Sequence, residues 1–361
     1  MKQDELISGC LSDRWRLTRR EWLLTAAASL GIGAQPRSTK AVEPLPRDLV
    51  TPQTQQAIER GLAWLAKRQH ADGAFGSGAG FGRNVAVTAL SGIAFLASGS
   101  TPGRGPHGEQ VNRAIDFVLS MSKPNGLIHV KEQDSYGPMY GHGFATLFLA
   151  EVYGMCKRAD AREKLDRAVR LIIQTQNSEG GWRYQPEPKE ADISATVCQI
   201  MALRAARNAG LHVPKETVDR CIDYVKKCQN SDGGFRYQLV RRGESAFPRS
   251  AAGVVALHSA GLYAGKEVER SLDYLRRYLP RGSMLRFEGH FFYGNYYATQ
   301  AMWRAGGEYW DEWFPAIRDT LLRDQLPDGA WTDSTVCIEY GTAMALIILQ
   351  MPNNLLPIFQ R

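Results

Sequence analysis

Apolar and polar positions along this chain recur with a period of 46 to 54 residues. Residues 58–75 read IERGLAWLAKRQHADGAF, 165–182 read LDRAVRLIIQTQNSEGGW, 218–235 read VDRCIDYVKKCQNSDGGF and 314–331 read FPAIRDTLLRDQLPDGAW. Weaker copies stand at 111–128 and 268–285. In each copy an apolar residue closes the pattern 17 positions after the first: Phe75, Ile128, Trp182, Phe235, Leu285 and Trp331. The starts lie 53, 54, 53, 50 and 46 residues apart, so six units keep near register. A period of this size marks a repeat architecture, in which one supersecondary unit stacks on the next.

Each unit predicts a helical hairpin. In the fourth, Val218, Cys221, Ile222, Val225 and Cys228 fall on one stripe at helical spacing. The helix then meets a polar–Gly turn, as at Asp72-Gly73, Asn125-Gly126, Glu179-Gly180-Gly181, Asp232-Gly233-Gly234 and Asp328-Gly329. Glycine there takes the left-handed conformation that stops a helix. A second helix, richer in small and apolar residues, is predicted over 85–98, 139–154, 193–209, 250–263, 293–305 and 340–350. Being less charged, it is the more buried partner. Six hairpins with polar outer and apolar inner helices predict an all-α fold, an α/α toroid around a central cavity. Closure removes the exposed ends that an open solenoid must cap; an open six-unit solenoid is the alternative. The apolar tail Leu355-Leu356-Pro357-Ile358-Phe359 is expected to lie across the first unit and seal it.

Upstream of the repeats, Arg19 and Arg20, preceded by Thr18, open onto a 13-residue apolar run from Trp22 to Ala34. That run is too short to span a bilayer comfortably. Paired arginines before a short apolar run resemble a twin-arginine export signal, with Trp22 where Phe is usual. A buried N-terminal helix is the alternative. Residues 1–41 are therefore expected to be a signal peptide, 42–54 a Pro- and charge-rich linker and 55–361 the six-repeat toroid domain. The expected location is periplasmic or otherwise extracytoplasmic, reached by the twin-arginine route in the folded state.

This segment changes the meaning of the charge. The chain has 44 Lys and Arg against 37 Asp and Glu, a formal +7 that would suit nucleic acid. Residues 1–41 hold seven and four of these, leaving 37 against 33 and a charge of +4, so no nucleic-acid partner is expected. With 44% hydrophobic and 22% charged residues, the composition is ordinary for a globular protein. No later apolar run is long enough for a transmembrane span. The odd set Cys156, Cys198, Cys221, Cys228 and Cys337 argues against a disulfide framework. No Cys/His cluster has zinc-ligand spacing, so neither metal nor other cofactor is expected.

The pattern Gln-x3-Gly-x-Trp/Phe, carried by Gln69 to Phe75, Gln229 to Phe235 and Gln325 to Trp331, resembles the repeat of prenyltransferase β-subunits and squalene–hopene-type cyclases. The likeness covers residues 55 to 361, is specific for the toroid fold, and extends in particular to exported bacterial members of this repeat family. It is not specific for a reaction. The class II cyclase motif Asp-x-Asp-Asp-Thr matches Asp192-Ile193-Ser194-Ala195-Thr196. The resemblance places Ser194 where the middle Asp protonates an alkene, and a hydroxyl cannot do that. The diphosphate-binding Asp-Asp-x-x-Asp is absent. The zinc-binding Asp-x-Cys of protein prenyltransferases has one counterpart, Asp219-Arg220-Cys221, on an outer helix.

A toroid places its chemistry at the ends of its inner helices. Three of these begin alike: Tyr140-Gly141-His142, Tyr293-Gly294-Asn295 and Tyr340-Gly341-Thr342. Glycine leaves room for a ligand or a second backbone, and tyrosine offers an apolar body with a polar tip. Tyr140, Ser194, Arg249, Tyr293, Asn295, Tyr296, Tyr297 and Tyr340 are the candidate binding residues; Asp192, His142 and Glu339 are the candidate catalytic groups. The expected cavity is deep and aromatic, with His142, Asp192, Arg249, Asn295 and Glu339 as its polar groups. It suits a mostly apolar small molecule or lipid with one polar end. Each residue also has a plainer reading. The Tyr-Gly starts are a packing solution repeated by duplication, Asp192 and Glu339 cap their helices, and His142 is a hydrogen-bonded core histidine. Three functions compete: binding or processing of an isoprenoid or similar ligand; a glycan-active enzyme using Asp192 and Glu339 as a carboxylate pair; and a non-enzymatic scaffold that binds a protein partner on its rim.

Overall fold

The computed structural model describes residues 49–131, 137–156, 158–241, 243–280 and 289–360. The expected export signal, most of the expected linker and Leu285 lie outside the described residues. Twelve α-helices alternate between an outer and an inner position among the described residues. The outer helices are α1 (Pro52–Lys67), α3 (Gly108–Ser120), α5 (Ala161–Gln174), α7 (Lys215–Lys227), α9 (Lys266–Arg276) and α11 (Gly307–Asp324). The inner helices are α2 (Val85–Ala97), α4 (Pro138–Val152), α6 (Ile193–Asn208), α8 (Phe247–Ser259), α10 (Phe291–Ala305) and α12 (Ile338–Leu349). The inner helices are buried almost all round and the outer ones on a single stripe. Each inner helix packs on the inner helix of the next unit, and α12 packs on α2. The six hairpins therefore form a closed α/α toroid, not an open solenoid.

Several boundaries shift from the sequence expectation, α8 ending at Ser259 instead of 263 among them. Helix α1 starts at Pro52, inside the stretch expected to be linker, because Thr51 caps it and proline fits the first turn. Helix α8 starts at Phe247, before the expected 250, with Pro248 likewise in its first turn.

One clamp recurs between neighbouring units. Gln69 Nε2 donates to the carbonyls of Gly73 and of Gln110 on α3, each at 3.0 Å. Gln176 Nε2 reaches Gly180 O at 2.8 Å and Thr217 O on α7 at 2.9 Å. Gln229 Nε2 reaches Gly233 O at 3.2 Å and Glu267 O on α9 at 2.8 Å. The last clamp closes the ring: Gln325 Nε2 binds Gly329 O at 2.9 Å and Ala57 O on α1 at 2.8 Å. The turn glycines have φ between +91° and +101°, and a Cβ on Gly180 would fall 2.1 Å from the Arg220 carbonyl. Glycine is required there twice over, for the left-handed backbone and for the approach of the next helix. The arginine of that helix answers the turn: Arg113 donates to His70 O at 2.8 Å and Arg270 to Asn230 O at 3.0 Å.

The tail meets the first unit at its start, where Leu355 lies beside Gly99, and then departs from the expected path by crossing the C-terminal end of the inner ring. Gln350 and Asn353 still touch α2, donating to Ala94 O at 3.1 Å and Ala97 O at 3.3 Å. Beyond them, residues 357–359 pack on α6. Trp303 Nε1 on α10 donates to Phe359 O at 2.8 Å, and Arg304 donates to Gln360 O at 3.0 Å. The reason is amphipathic: Leu356, Ile358 and Phe359 are buried while Leu355 and Pro357 face outward.

Truncation after Asn354 is expected to lower stability by about 5 kcal/mol, the burial of three large apolar side chains. Thermal melting should fall by roughly 10 °C. An unchanged melting temperature would contradict the role given to the tail.

Candidate functional site

The N-terminal ends of the inner helices share one register. In five of the units the turn that ends the outer helix closes with an apolar residue whose backbone N–H is capped from the inner helix. Phe75 N donates to Thr88 Oγ1 at 2.9 Å, Trp182 N to Thr196 Oγ1 at 3.1 Å, Phe235 N to Ser250 Oγ at 2.9 Å and Trp331 N to Thr342 Oγ1 at 3.0 Å. In the second unit the acceptor is His142, whose Nδ1 takes the Ile128 N–H at 3.2 Å. Two residues before each acceptor stand Ala86, Tyr140, Ser194, Pro248 and Tyr340, and Tyr293 holds the same place before Asn295. All six line one central cavity of about 450 Å³. A helix advances about 100° per residue, so positions two apart face nearly opposite ways. One faces the turn and the other the cavity.

The remaining wall comes from the connecting loops and adjacent helix positions. Phe81, Phe144, Tyr184 and Tyr237 supply aromatic surface, and His129, Arg249 and His290 supply polar groups. Tyr184 and Tyr237 follow the closing residues Trp182 and Phe235 by two, and their hydroxyls hydrogen-bond to each other. The repeated Trp-Arg-Tyr and Phe-Arg-Tyr in adjacent units is the sequence signal that points to them. His290 caps α10 in the left-handed conformation, φ +70°.

Of the candidate binding residues, Tyr140, Ser194, Arg249, Tyr293 and Tyr340 line the cavity. The register corrects the placement of the other candidates. His142 is wholly buried between Ile128 N and Ala168 O, 3.2 Å from each. Burial lowers its pKa to about 4, against the raising effect of the Ala168 carbonyl, so it stays neutral near pH 7. Asn295 occupies the matching position of α10, its Nδ2 bonded to Phe291 O at 3.0 Å. Tyr297 turns into the core, its hydroxyl 3.3 Å from Cys198 Sγ. Tyr296 packs edge-on against both Phe144 and Phe359, so it lies between the cavity and the tail.

The two carboxylates also stand off the cavity. Asp192 is the N-cap of α6, and its Oδ1 accepts the Ala195 N–H at 2.9 Å. The Tyr237 hydroxyl also faces this carboxylate, and Arg183 Nε lies 3.8 Å from its Oδ2. Burial pushes the Asp192 pKa up to about 6, partly offset by the Ala195 N–H and the Arg183 charge. Glu339 is buried under the first unit. It accepts from Arg68 Nε at 2.9 Å and from Ser77 Oγ at 2.6 Å. Burial works against its charge, but Ser77 and Arg68 outweigh it and hold the pKa below the usual carboxylate value. It ties the last inner helix to the first unit. The Tyr-Gly glycines admit neighbouring structure: a Cβ on Gly141 would meet Val85, one on Gly294 Phe247 and one on Gly341 the Trp331 carbonyl.

Among the described residues no three His, Cys, Asp or Glu side chains stand together as a metal site. Asp219 pairs with Lys215 in solvent while Cys221 points into the core. No helix of the described residues is long and apolar enough to cross a membrane.

Comparison with known proteins places this architecture. The family model of the prenyltransferase alpha-alpha toroid domain matches residues 39–281. A drimenyl diphosphate synthase from Streptomyces showdoensis is 26% identical over 194 residues, 54% of this chain and 34% of that protein. The match therefore spans about a third of that relative's length. A type II terpene cyclase from Scytonema superposes with a TM-score of 0.60 at 17% identity, covering 84% of this chain and 98% of the other. An α-1,6-mannanase from Salegentibacter gives 0.60 at 9% identity over 84% of this chain and 99% of its own.

Because the folded pKa of Asp192 lies above that of an unfolded aspartate, the native state gains a proton between about pH 4 and 6. The stabilisation from that proton is fully present below the unfolded pKa and lost as pH rises through the folded one. Asp192→Asn keeps the cap without the charge. It should melt above the parent at pH 8, by on the order of 1–3 kcal/mol, and converge with it near pH 4. Thermal melts across that range test this; a variant less stable at pH 8 refutes it.

Proposed function

From its place in the prenyltransferase alpha-alpha toroid family, to which this chain belongs, we propose that the protein holds an isoprenoid or another mostly apolar small molecule in its central cavity. The observation that carries this reading is the convergence of six equivalent positions, Ala86, Tyr140, Ser194, Pro248, Tyr293 and Tyr340, on one aromatic cavity. A cavity of this volume, largely apolar with a few polar groups, is the usual form of a small-molecule site. The drimenyl diphosphate synthase and the terpene cyclase among its relatives favour an isoprenoid.

Protonation of an alkene by the class II route is not part of the proposal. The position of the acid faces the cavity, as that chemistry needs, but it holds Ser194, and no carboxylate stands among the described lining residues. A glycan-active enzyme has support from the mannanase fold. It would need two carboxylates facing one substrate, and both Asp192 and Glu339 are committed elsewhere, one as a helix cap and one to Arg68 and Ser77. We further propose export by the twin-arginine route, on the strength of Arg19 and Arg20 before the short apolar run.

Solvent extraction of the purified protein followed by mass spectrometry should recover an apolar molecule, and farnesol should bind the emptied protein. Ala86→Trp, which fills the cavity from the first turn of α2, should abolish binding with little change in melting temperature. An empty protein that also ignores farnesol would sink the reading. For export, Arg19→Lys with Arg20→Lys in the full chain should hold the protein in the cytoplasm on fractionation; unchanged distribution would reject that route.

A further inference from the structure

We infer that the ligand of this cavity carries one negative charge, as a carboxylate-type head on an apolar body, and that Arg249 receives the head. This rests on the proposal above that the cavity takes a mostly apolar molecule.

Among the described lining residues Arg249 is the one Arg or Lys, and none is Asp or Glu. Arg113 and Arg236 share the buried, unpaired Nε of Arg249, but neither lines the cavity; several other arginines of the fold are paired. Arg68 is neutralised by Glu339, Arg83 by Asp72, and Arg276 by Glu312. Arg249 has no such carboxylate, and its Nε is buried with no hydrogen-bond partner. A buried charged donor left unpaired is costly, and a ligand acceptor placed there removes that cost.

The surrounding backbone favours the same sign of charge. Arg249 sits in the first turn of α8, and all six inner helices direct their N-terminal ends at the cavity. Helix N-termini carry partial positive charge. The opposite wall has a different character. Arg249 belongs to the fourth unit, and three units away around a ring of six, the first unit presents Phe81, Val85, Ala86 and Val87. An amphiphile with its head at α8 and its body toward α2 matches that polarity.

The charge of the head is limited as well. One guanidinium offers two parallel N–H donors, the fork that a single carboxylate fills. A diphosphate carries more charge and is held by several cations or by a divalent metal on carboxylates. The described lining has one arginine and two histidines, and no carboxylate on which a metal could sit.

The test uses one tail with three heads: farnesol, farnesoic acid and farnesyl diphosphate, titrated into the purified protein by calorimetry at pH 7.5. The acid should bind at least about tenfold more tightly than the alcohol, as a charge-assisted hydrogen bond implies, and more tightly than the diphosphate. Arg249→Gln should bring acid and alcohol to the same affinity. Since Arg249 has no partner to lose and its unpaired Nε is a cost, the variant should melt at or above the parent. Equal affinities for acid and alcohol in the parent, or a preference for the diphosphate, would overturn the assignment to a single anionic head while leaving an apolar ligand standing. Failure of all three heads to bind would remove the apolar-ligand reading and this one with it.

Discussion

The fold depends on a glutamine side chain that donates to two carbonyls at once. One carbonyl belongs to its own left-handed turn, the other to the outer helix of the next unit. The second is what makes a ring, because a hairpin alone cannot bury its apolar face. Gln325 makes the same pair of bonds as Gln69, but its second acceptor is Ala57 on the first outer helix. The closure of the toroid is therefore a repeat contact like the others. Unit two has Ser122 in the glutamine's place, and there the turn is carried by Gly126 against the Arg167 carbonyl.

Closure then decides what the inner helices can do. Their C-terminal ends are covered by the tail through Trp303 and Arg304, and Tyr296 fills the space between tail and cavity. Their N-terminal ends remain as the walls of a chamber. Positive helix ends, aromatic side chains and one uncompensated guanidinium are brought together there by the topology. Local preference of individual residues did not assemble them.

Much of this was legible in the chain because repetition multiplies weak signals. The Gln-x3-Gly-x-aromatic spacing carries the clamp, the left-handed turn and the returning core residue in seven positions, so the toroid could be read from it. Candidate site residues were harder, because their roles turn on a register that periodicity alone does not show. Tyr140 and His142 are two apart, and the first faces the cavity while the second caps Ile128. The match of His142 to Thr88, Thr196, Ser250 and Thr342 is chemically unlike and is exposed only by the shared hydrogen bond. Asp192 and Glu339 were singled out as charged groups in an apolar setting. Both are charged for local reasons, one to cap α6 and the other to hold Arg68 and Ser77. Tyr184 and Tyr237 stand on loops, where helical spacing carries no information.

The two-residue offset between capping and lining positions has an evolutionary meaning. Substitution of Ala86, Tyr140, Ser194, Pro248, Tyr293 or Tyr340 remodels the chamber without touching a side chain that holds a turn. Selection can therefore exchange the whole lining column, one unit at a time, on a scaffold whose joints stay constant. A ring built this way is modular in the strict sense. It can pass from one chemistry to another, or to none, through a series of folded intermediates.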